Sequence, residues 1–255
     1  MRWHNLAPAA AAAFLLAACA GGQATGKRES AEEPRLRVAA AAEASGQFDI
    51  ALSMYGAAAA AEPDRADIQA RFAAALARAG NTAQAEEVLN RALQRHPADP
   101  LLLGQLGRLR LRANSAEQAL SIFDRILSDA PRDASALDGR GMALDLLGRH
   151  EEAEQSYRAA LAVAPANLAV ANNLAMSLLL AGRPAEAIAI LEPLARRPEA
   201  PPRVMANLAV ARAAVGDRDG ARDLLDERNE AEDLDAVVTE LTGGAAAPAG
   251  SAGQS

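Results

Sequence analysis

A spacing of 34 residues recurs through most of the chain and limits its fold more than any other feature of the sequence. Prolines follow it at Pro63, Pro97, Pro131 and Pro165. Turn-forming residues follow it at Gly46, Gly80, Asn114, Gly148, Gly182 and Gly216. Small residues form two series, Ala39, Ala73, Gly107, Gly141, Ala175 and Ala209, and Ala51, Ala85, Ala119, Ala153, Ala187 and Ala221. Large residues come four positions after the second series, at Tyr55, Leu89, Phe123, Tyr157, Leu191 and Leu225. A constant period without insertions indicates one structural unit repeated in tandem.

The period predicts a helix, a turn, a second helix and a proline stop in each unit. Glycine or asparagine supplies the left-handed conformation that ends the first helix. Proline ends the second helix because it has no N–H and clashes with the preceding turn. The small residues allow the two helices to approach closely, and the large residue fills the space between them. A composition rich in alanine, with only 3% aromatic residues, also favours helix over strand. Since one unit cannot bury its apolar face alone, the units must stack into an all-α solenoid.

This pattern resembles the tetratricopeptide repeat (TPR), which implies six helix-turn-helix units starting near residues 32, 66, 100, 134, 168 and 202. The units depart from the family pattern in places. The bulky aromatic residue that the family places early in the first helix is absent. Glu199 stands where a closing proline is expected, with Pro198 one position early, and Arg228 replaces a small residue. We expect residues 233–241 to form a capping helix with a polar outer face, so that the array spans residues 32–241.

The N-terminal segment predicts export followed by lipid anchoring. An apolar run from Leu6 to Ala18 is too short for a permanent membrane helix and fits a signal peptide over residues 1–18. The run ends in Leu16-Ala17-Ala18-Cys19, which resembles the lipobox of bacterial lipoproteins. That resemblance implies lipidation of the Cys19 thiol, cleavage after Ala18 and attachment to the membrane through the acyl chains. The alternative is a free cysteine buried in a core helix.

The segments that flank the array have no apolar period. Residues 19–31 are rich in Gly, Ser, Thr and charged residues, which predicts a flexible tether, and residues 242–255 predict a disordered tail. In lipoproteins of Gram-negative bacteria, an aspartate after the lipidated cysteine favours retention at the inner membrane. Ala20 occupies that position here. The resemblance therefore implies the periplasmic face of the outer membrane.

The composition and motifs argue against nucleic-acid binding and catalysis. A formal net charge of −7 and few aromatic residues leave little for phosphate contacts or base stacking. His4, His96 and His150 are scattered, and HExxH, Walker A, GxGxxG and GxSxG motifs are absent from the sequence. We interpret Gly104 and Gly107, inside a predicted helix, as close-packing positions. We therefore expect no catalytic residue, metal, cofactor or small-molecule substrate. The alternative, an enzyme with an unrecognised site, would need clustered His or Cys residues.

A curved stack of helices presents a concave groove lined by the first helix of each unit, and this groove is the predicted partner site. The second and third units place positive charge there, at Arg71, Arg78, Arg108 and Arg112. The fifth unit contributes Asn172, Asn173, Met176 and Leu179, and the sixth contributes Arg203, Ala206, Asn207 and Val210. Our candidates for partner contacts are Asn172, Asn173, Met176, Arg203, Asn207 and Val210.

Asn173 and Asn207 occupy equivalent positions, and each is followed by Leu-Ala. In peptide-binding TPR proteins an asparagine at this place hydrogen-bonds the ligand backbone, which an amide can do as both donor and acceptor. The other interpretation is a bond to a neighbouring helix or to water. Met176 and Leu179 similarly fit either a floor for the ligand or ordinary core. The sequence leaves both alternatives open.

Two stretches carry a closer resemblance, NNLAMSLLLAGRPAEAIAILEPL at 172–194 and PRVMANLAVARAAVGDRDGARDLL at 202–225. They resemble the C-terminal repeats of the TadD family, the TPR lipoproteins of the tight-adherence (Flp) pilus. This implies a non-enzymatic scaffold at the outer membrane that assists assembly or localisation of the secretin and other pilus proteins. The alternative is another lipid-anchored TPR adaptor, such as a type IV pilus secretin pilotin or a cell-wall-enzyme coordinator. A soluble cytosolic adaptor would require that the N-terminus is misinterpreted.

Overall fold

The computed structural model describes residues 32–225, which form helices and turns without strands. Twelve helices in this range follow one another as six helix-turn-helix pairs, in which the odd-numbered helix comes first. They are α1 (Glu33–Ala44), α2 (Phe48–Ala61), α3 (Ala66–Arg78), α4 (Thr82–Arg95), α5 (Pro100–Arg112), α6 (Ala116–Asp129), α7 (Ala134–Leu146), α8 (His150–Val163), α9 (Leu168–Leu180), α10 (Pro184–Ala195), α11 (Pro202–Ala214) and α12 (Arg218–Leu225). The predicted all-α solenoid with two helices per unit is confirmed.

The pairs stack so that the first helices lie along one side. Each helix packs against the next helix in the chain, and from α3 onwards each first helix also packs against the following first helix. Second helices within residues 32–225 make no comparable contacts with one another. The first helices are therefore closer together than the second helices, and the stack curves with the first helices on its inner side.

A residue with a left-handed backbone ends the turn inside each pair. The φ angle is 71° at Gly148 and 53° at Asn114, and all six predicted turn residues have positive φ. After α7, Gly148 N donates to the Asp145 carbonyl oxygen and Arg149 N donates to the Leu144 carbonyl oxygen, each at 2.9 Å. These bonds satisfy carbonyl groups that the end of a helix leaves without partners. Glycine adopts this conformation without steric strain, and asparagine tolerates it better than most side chains.

Proline and cap residues set the other helix boundaries. The four prolines spaced 34 residues apart each lie two positions after a second helix. In the fifth unit α10 ends at Ala195, so the connection to α11 is longer and covers residues 196–201. This earlier end is the structural counterpart of the displaced proline at Pro198.

Three first helices also begin at side-chain caps that were not predicted from the sequence. Asp99, Asp133 and Asn167 accept a hydrogen bond through Oδ1 from backbone N–H groups in the first turn of α5, α7 and α9. The N···O distances are 2.9 Å to Leu101 and 2.8 Å to Ala136. Each such cap contributes about 1 kcal/mol to helix stability. The three caps are spaced 34 residues apart, so they too belong to the repeat.

The predicted series form the core between the helices. Every residue of the two small series and of the large series is buried. Among the large residues, Phe123 and Leu191 are 0% exposed and Tyr157 is 1% exposed. The predicted packing of large residues against small ones is therefore confirmed.

The Phe123 ring of α6 packs against glycines of two neighbouring helices. A Cβ atom added to Gly107 or to Gly139 would lie only 2.7 Å or 2.3 Å from the Phe123 ring. The ring therefore fills space that glycines leave on two consecutive first helices, α5 and α7. At Gly104 an added Cβ would meet only Arg108 Nη2, at 3.8 Å. The interpretation of Gly107 as a close-packing position is confirmed, and that of Gly104 is wrong because no neighbouring helix presses against it.

Gly139→Ala is expected to lower the free energy of unfolding by about 1–3 kcal/mol, because the added methyl group overlaps the Phe123 ring in a packed core. Gly104→Ala is the matched control, and it is expected to raise that free energy by about 0.5–1 kcal/mol because alanine is the better helix former. Urea unfolding followed by far-ultraviolet circular dichroism measures both. Effects of the same sign would contradict this placement of the Phe123 ring.

None of the helices between residues 32 and 225 has the length and apolar character of a membrane-spanning segment. The predicted signal peptide (1–18), Cys19 and the rest of the tether (19–31) lie outside the described residues. The same holds for Arg228, the predicted capping helix (233–241) and the predicted tail (242–255). These assignments stay predictions.

Candidate partner-binding groove

The inner surface of the stack is a groove, and two rows of equivalent residues run along it from helix to helix. One row consists of Arg78, Arg112, Leu146, Leu180 and Ala214. The other consists of Ala74, Arg108, Met142, Met176 and Val210. Both rows change from basic to apolar between α5 and α7. We call the part on α3 and α5 the basic half and the part on α7, α9 and α11 the apolar half.

The basic half contains a pocket of about 120 Å³ between α3 and α5. Arg78 of α3 and Arg108 and Arg112 of α5 line this pocket, together with Gln105. Its volume is well below the several hundred Å³ of a typical small-molecule site. It is better matched to one side chain of a partner, and three guanidinium groups favour a carboxylate or another anion.

The arginines of the basic half differ in how far their charge is compensated inside the fold. Arg78 forms an ion pair with Glu43 of α1. Arg108 donates from Nη1 to Ser135 Oγ at 3.1 Å. Arg112 is exposed and makes no hydrogen bond or ion pair within residues 32–225. The same holds for Arg71, which lies on α3 outside the two rows. The guanidinium group of Arg112 is therefore available for contact with a partner.

The apolar half exposes large aliphatic side chains in adjacent rows. Met142 is 38% exposed, Leu146 is 51% exposed and Leu180 is 37% exposed. Since they occupy the same two rows on neighbouring helices, they form one stripe rather than scattered surface residues. A contiguous apolar surface of this kind marks an interaction site more often than single exposed residues do.

The two candidate hydrophobic contacts from the sequence continue the second row beyond Met142. Met176 and Val210 are half-buried and pack against the core. Leu179 is 5% exposed and belongs to the core itself. Met176 and Val210 therefore touch both the core and the groove, and the structure brings them next to the exposed stripe.

Hydrogen bonds join successive first helices beneath the groove. Asn173 Nδ2 of α9 donates to Asp138 Oδ1 of α7 at 2.9 Å. Asn207 Nδ2 of α11 donates to Asn172 Oδ1 of α9 at 3.0 Å. Asn173 and Asn207 each therefore bond to a neighbouring helix through one N–H. Their Oδ1 atoms accept no hydrogen bond within the described part of the chain, so a contact with a partner backbone stays a prediction.

Asn172 and Arg203 differ in their access to a partner. Asn172 is 3% exposed and offers almost no surface. Arg203 lies exposed in the first turn of α11.

Burial raises the pKa of the Asp138 carboxyl, whereas the bond from Asn173 and the charges of Arg108 and Arg203 lower it. Asp138 is a half-buried carboxyl group on α7, where the apolar half of the groove begins.

A second group of polar side chains connects α7, α8 and α9 and was not predicted from the sequence. Asp145 accepts hydrogen bonds from the Tyr157 hydroxyl at 2.9 Å and the Ser177 hydroxyl at 2.7 Å. Its other contact is His150 Nδ1, at 2.9 Å. Burial, and then the charge of Asp145, raises the pKa of the Tyr157 phenol, which keeps it protonated as a donor.

The geometry of this group is that of a structural network. The Ser177 hydroxyl donates to the Asp145 carboxylate and not to the His150 ring, so the serine–histidine contact of a nucleophilic triad is not formed by these residues. Tyr157 and Ser177 are also almost completely buried. In the described part of the chain, no group of three His, Cys, Asp or Glu side chains is placed to hold a metal ion.

Solved structures with this architecture include several TPR proteins. PilW, a widely conserved type IV pilus biogenesis factor, matches with a TM-score of 0.68 at 19% identity, over 83% of this chain and 100% of its own. Pseudomonas aeruginosa PilF matches with a TM-score of 0.63 at 15% identity, over 83% of this chain and 96% of its own. A thermophilic TPR protein from Thermus thermophilus matches with a TM-score of 0.62 at 25% identity, over 72% and 99%. The likeness to the two pilus proteins concerns the fold alone.

A search of curated proteins gives no match. The family model described as the tetratricopeptide repeat matches residues 42–101, 76–140 and 146–201, which is more than half of the chain. These ranges fall on the stacked helix pairs that form the groove. The chain belongs to the tetratricopeptide repeat family.

Proposed function

We propose that the chain is a lipid-anchored TPR scaffold that binds protein partners during assembly of the Flp (Tad) type IV pilus secretion machinery, where it assists assembly or localisation of the secretin. One observation carries the partner-binding part of this proposal. Arg112, Leu146 and Leu180 belong to one row along the groove, and the fold itself leaves them exposed. Unpaired guanidinium groups and large aliphatic side chains on one concave surface are suited to contact with another protein.

Sequence features support the assignment to this pilus system. The segments 172–194 and 202–225 resemble the C-terminal repeats of TadD lipoproteins, and Cys19 ends a segment that resembles a lipobox. TPR proteins of this fold also include PilW, which is a type IV pilus biogenesis factor. The proposal assigns no catalytic role to any residue.

The proposal is tested by crosslinking and affinity purification from detergent-solubilised outer membrane, with a C-terminal tag. We expect a secretin and other pilus proteins to co-purify, and to do so less with the Cys19→Ser variant. Recovery of cell-wall enzymes in place of pilus proteins would leave the TPR scaffold but overturn the pilus assignment.

Cys19→Ser is expected to move the protein from the membrane fraction to the soluble fraction. The acyl chains would be lost, and each buried CH₂ contributes about 0.8 kcal/mol to membrane attachment. Cell fractionation followed by immunoblotting measures the change. Thr25→Ala in the predicted tether is the control and should leave the protein in the membrane fraction. A Cys19→Ser protein that still sediments with the outer membrane would show that the anchor lies elsewhere.

A second candidate is an outer-membrane TPR lipoprotein of another type IV pilus, such as a secretin pilotin. The observation that favours it is the fold likeness to PilW and PilF over most of each chain. The same purification distinguishes the two candidate functions, because the recovered secretin identifies the pilus system to which the protein belongs.

A further inference from the structure

We propose that the two halves of the groove bind one extended segment of a partner protein, acidic in one part and aliphatic in the next. This inference rests on the proposed partner-binding function and specifies the chemistry of the partner. It follows from the two rows of residues that run through the groove and change character together between α5 and α7.

The basic half selects for carboxylates. Arg112 makes no hydrogen bond or ion pair in the described part of the chain. Arg108 donates a hydrogen bond only to the Ser135 hydroxyl, and the carboxylates of Asp138 and Asp133 compensate part of its charge. With Arg78, these two arginines line a pocket that admits one side chain. A carboxylate there would form charge-assisted hydrogen bonds with several guanidinium groups at once. The positive charge of the basic half contrasts with the chain as a whole, which carries a formal net charge of −7.

The apolar half selects for aliphatic side chains. Met142, Leu146 and Leu180 are exposed in the same rows that carry arginine one or two units earlier. A lysine or arginine side chain of a partner would gain little binding free energy there. Leucine, isoleucine or methionine would bury apolar surface of both the partner and the groove. Binding to both halves therefore requires a partner segment whose own character changes from acidic to aliphatic.

The dimensions of the groove fit one extended segment. Packed helices lie about 10 Å apart, so the groove from α3 to α9 spans roughly 30 Å. An extended chain of about nine residues covers that distance at roughly 3.3 Å per residue. Arg112 and Leu146 are consecutive members of one row, so the partner must change character within about three residues, the extended length of one helix spacing.

Fluorescence anisotropy with a labelled peptide of about nine residues, acidic in its first half and aliphatic in its second, tests this inference. The protein is the full chain purified as the Cys19→Ser variant. Two control peptides keep only the acidic half or only the aliphatic half and replace the rest with Gly and Ser. We expect the mixed peptide to bind about ten-fold or more tightly than either control, because linked contacts add within one molecule.

The groove also offers matched substitutions, since neighbouring units already carry the replacement residue in the same row. Arg112→Leu and Leu146→Arg should each weaken the mixed peptide about five-fold, the typical effect of one exposed contact. Leu146→Arg should in addition prefer a peptide with an acidic part longer by about three residues. Arg91→Leu, on the exposed surface of α4, is the control and should leave affinity unchanged.

Equal affinity for the mixed and control peptides, or unchanged affinity in both groove variants, would overturn the inference. A concentration-dependent dimer that both variants abolish would show that a second copy occupies the groove, which would overturn it too. Pilus proteins recovered equally by wild type and both variants would overturn this inference and leave the proposed function intact. Peptide binding as expected, without recovery of pilus proteins, would support the inference and overturn the pilus assignment.

Discussion

Phe123→Ala is expected to lower the free energy of unfolding by about 3–5 kcal/mol, the usual loss for a fully buried phenylalanine. The ring is 0% exposed and fills the space beside Gly107 and Gly139. Neither glycine has a side chain that can move into the cavity, so the surrounding structure relaxes little. Because the ring contacts both α5 and α7, its loss weakens the junction between the third and fourth units. Urea unfolding followed by circular dichroism at increasing denaturant concentration measures the effect.

Phe123→Leu is the matched control, since Leu89 and Leu191 occupy the equivalent positions of other units. It should lower the free energy of unfolding by only about 1–2 kcal/mol. The double variant Gly139→Ala/Phe123→Leu should be less destabilised than the sum of its single variants, because the smaller side chain makes room for the methyl group. Additive effects in this double variant would show that the two positions do not share one space.

Asp145→Ala is expected to lower the free energy of unfolding by about 2–4 kcal/mol. It leaves the buried Tyr157 hydroxyl without an acceptor and the Ser177 hydroxyl with only a 3.4 Å contact to the His150 carbonyl oxygen. Tyr157 and Ser177 are 1% and 0% exposed, so water cannot replace the lost carboxylate easily. The carboxylate also holds α7 against both α8 and α9. Thermal and urea unfolding of the variant provide the measurement.

Tyr157→Phe separates the loss of one hydrogen bond from the loss of the acceptor. It removes one donor and leaves Asp145 with Ser177 and His150, so we expect a loss of only about 1 kcal/mol. Should Asp145→Ala prove no more harmful than Tyr157→Phe, the network would not contribute to stability in the way its geometry indicates.

Most of the fold was predictable because equivalent positions of each unit have the same structural requirement and carry the same residue types. A residue such as Gly148 is needed wherever the first helix must end in a left-handed conformation, so its spacing reveals the turn. The caps Asp99, Asp133 and Asn167 follow the same logic and were detectable, since acceptor side chains recur just before three first helices.

Features that occur in only one unit were not predictable from the period. Gly139 stands in a row otherwise occupied by Arg71, Gln105, Asn173 and Asn207, and its role depends on the single phenylalanine at position 123. Glu43 and Tyr55 of the first unit repeat the contact between Asp145 and Tyr157. The bonds of Asp145 to Ser177 and His150 have no counterpart there, because Ala75 and Phe48 occupy those positions. Such residues are recognised only when their three-dimensional neighbours are known.

The candidate site was predictable in composition and not in detail. The basic early groove could be identified from Arg108 and Arg112, because the solenoid places one row of each first helix inside. The role of Asn173 could not be decided from residue type, because an amide serves a ligand and a neighbouring helix equally well. The decisive information was that Asp138 faces it at hydrogen-bond distance.

The contacts between helices also determine how the chain can acquire its structure. Extensive contacts within residues 32–225 join helices that are at most two apart along the chain. Topologies with such short-range contacts fold quickly, and repeat arrays of this kind can nucleate at any unit and grow in either direction. The polypeptide can therefore begin to order as soon as two or three units are available, before its remaining residues have been synthesised.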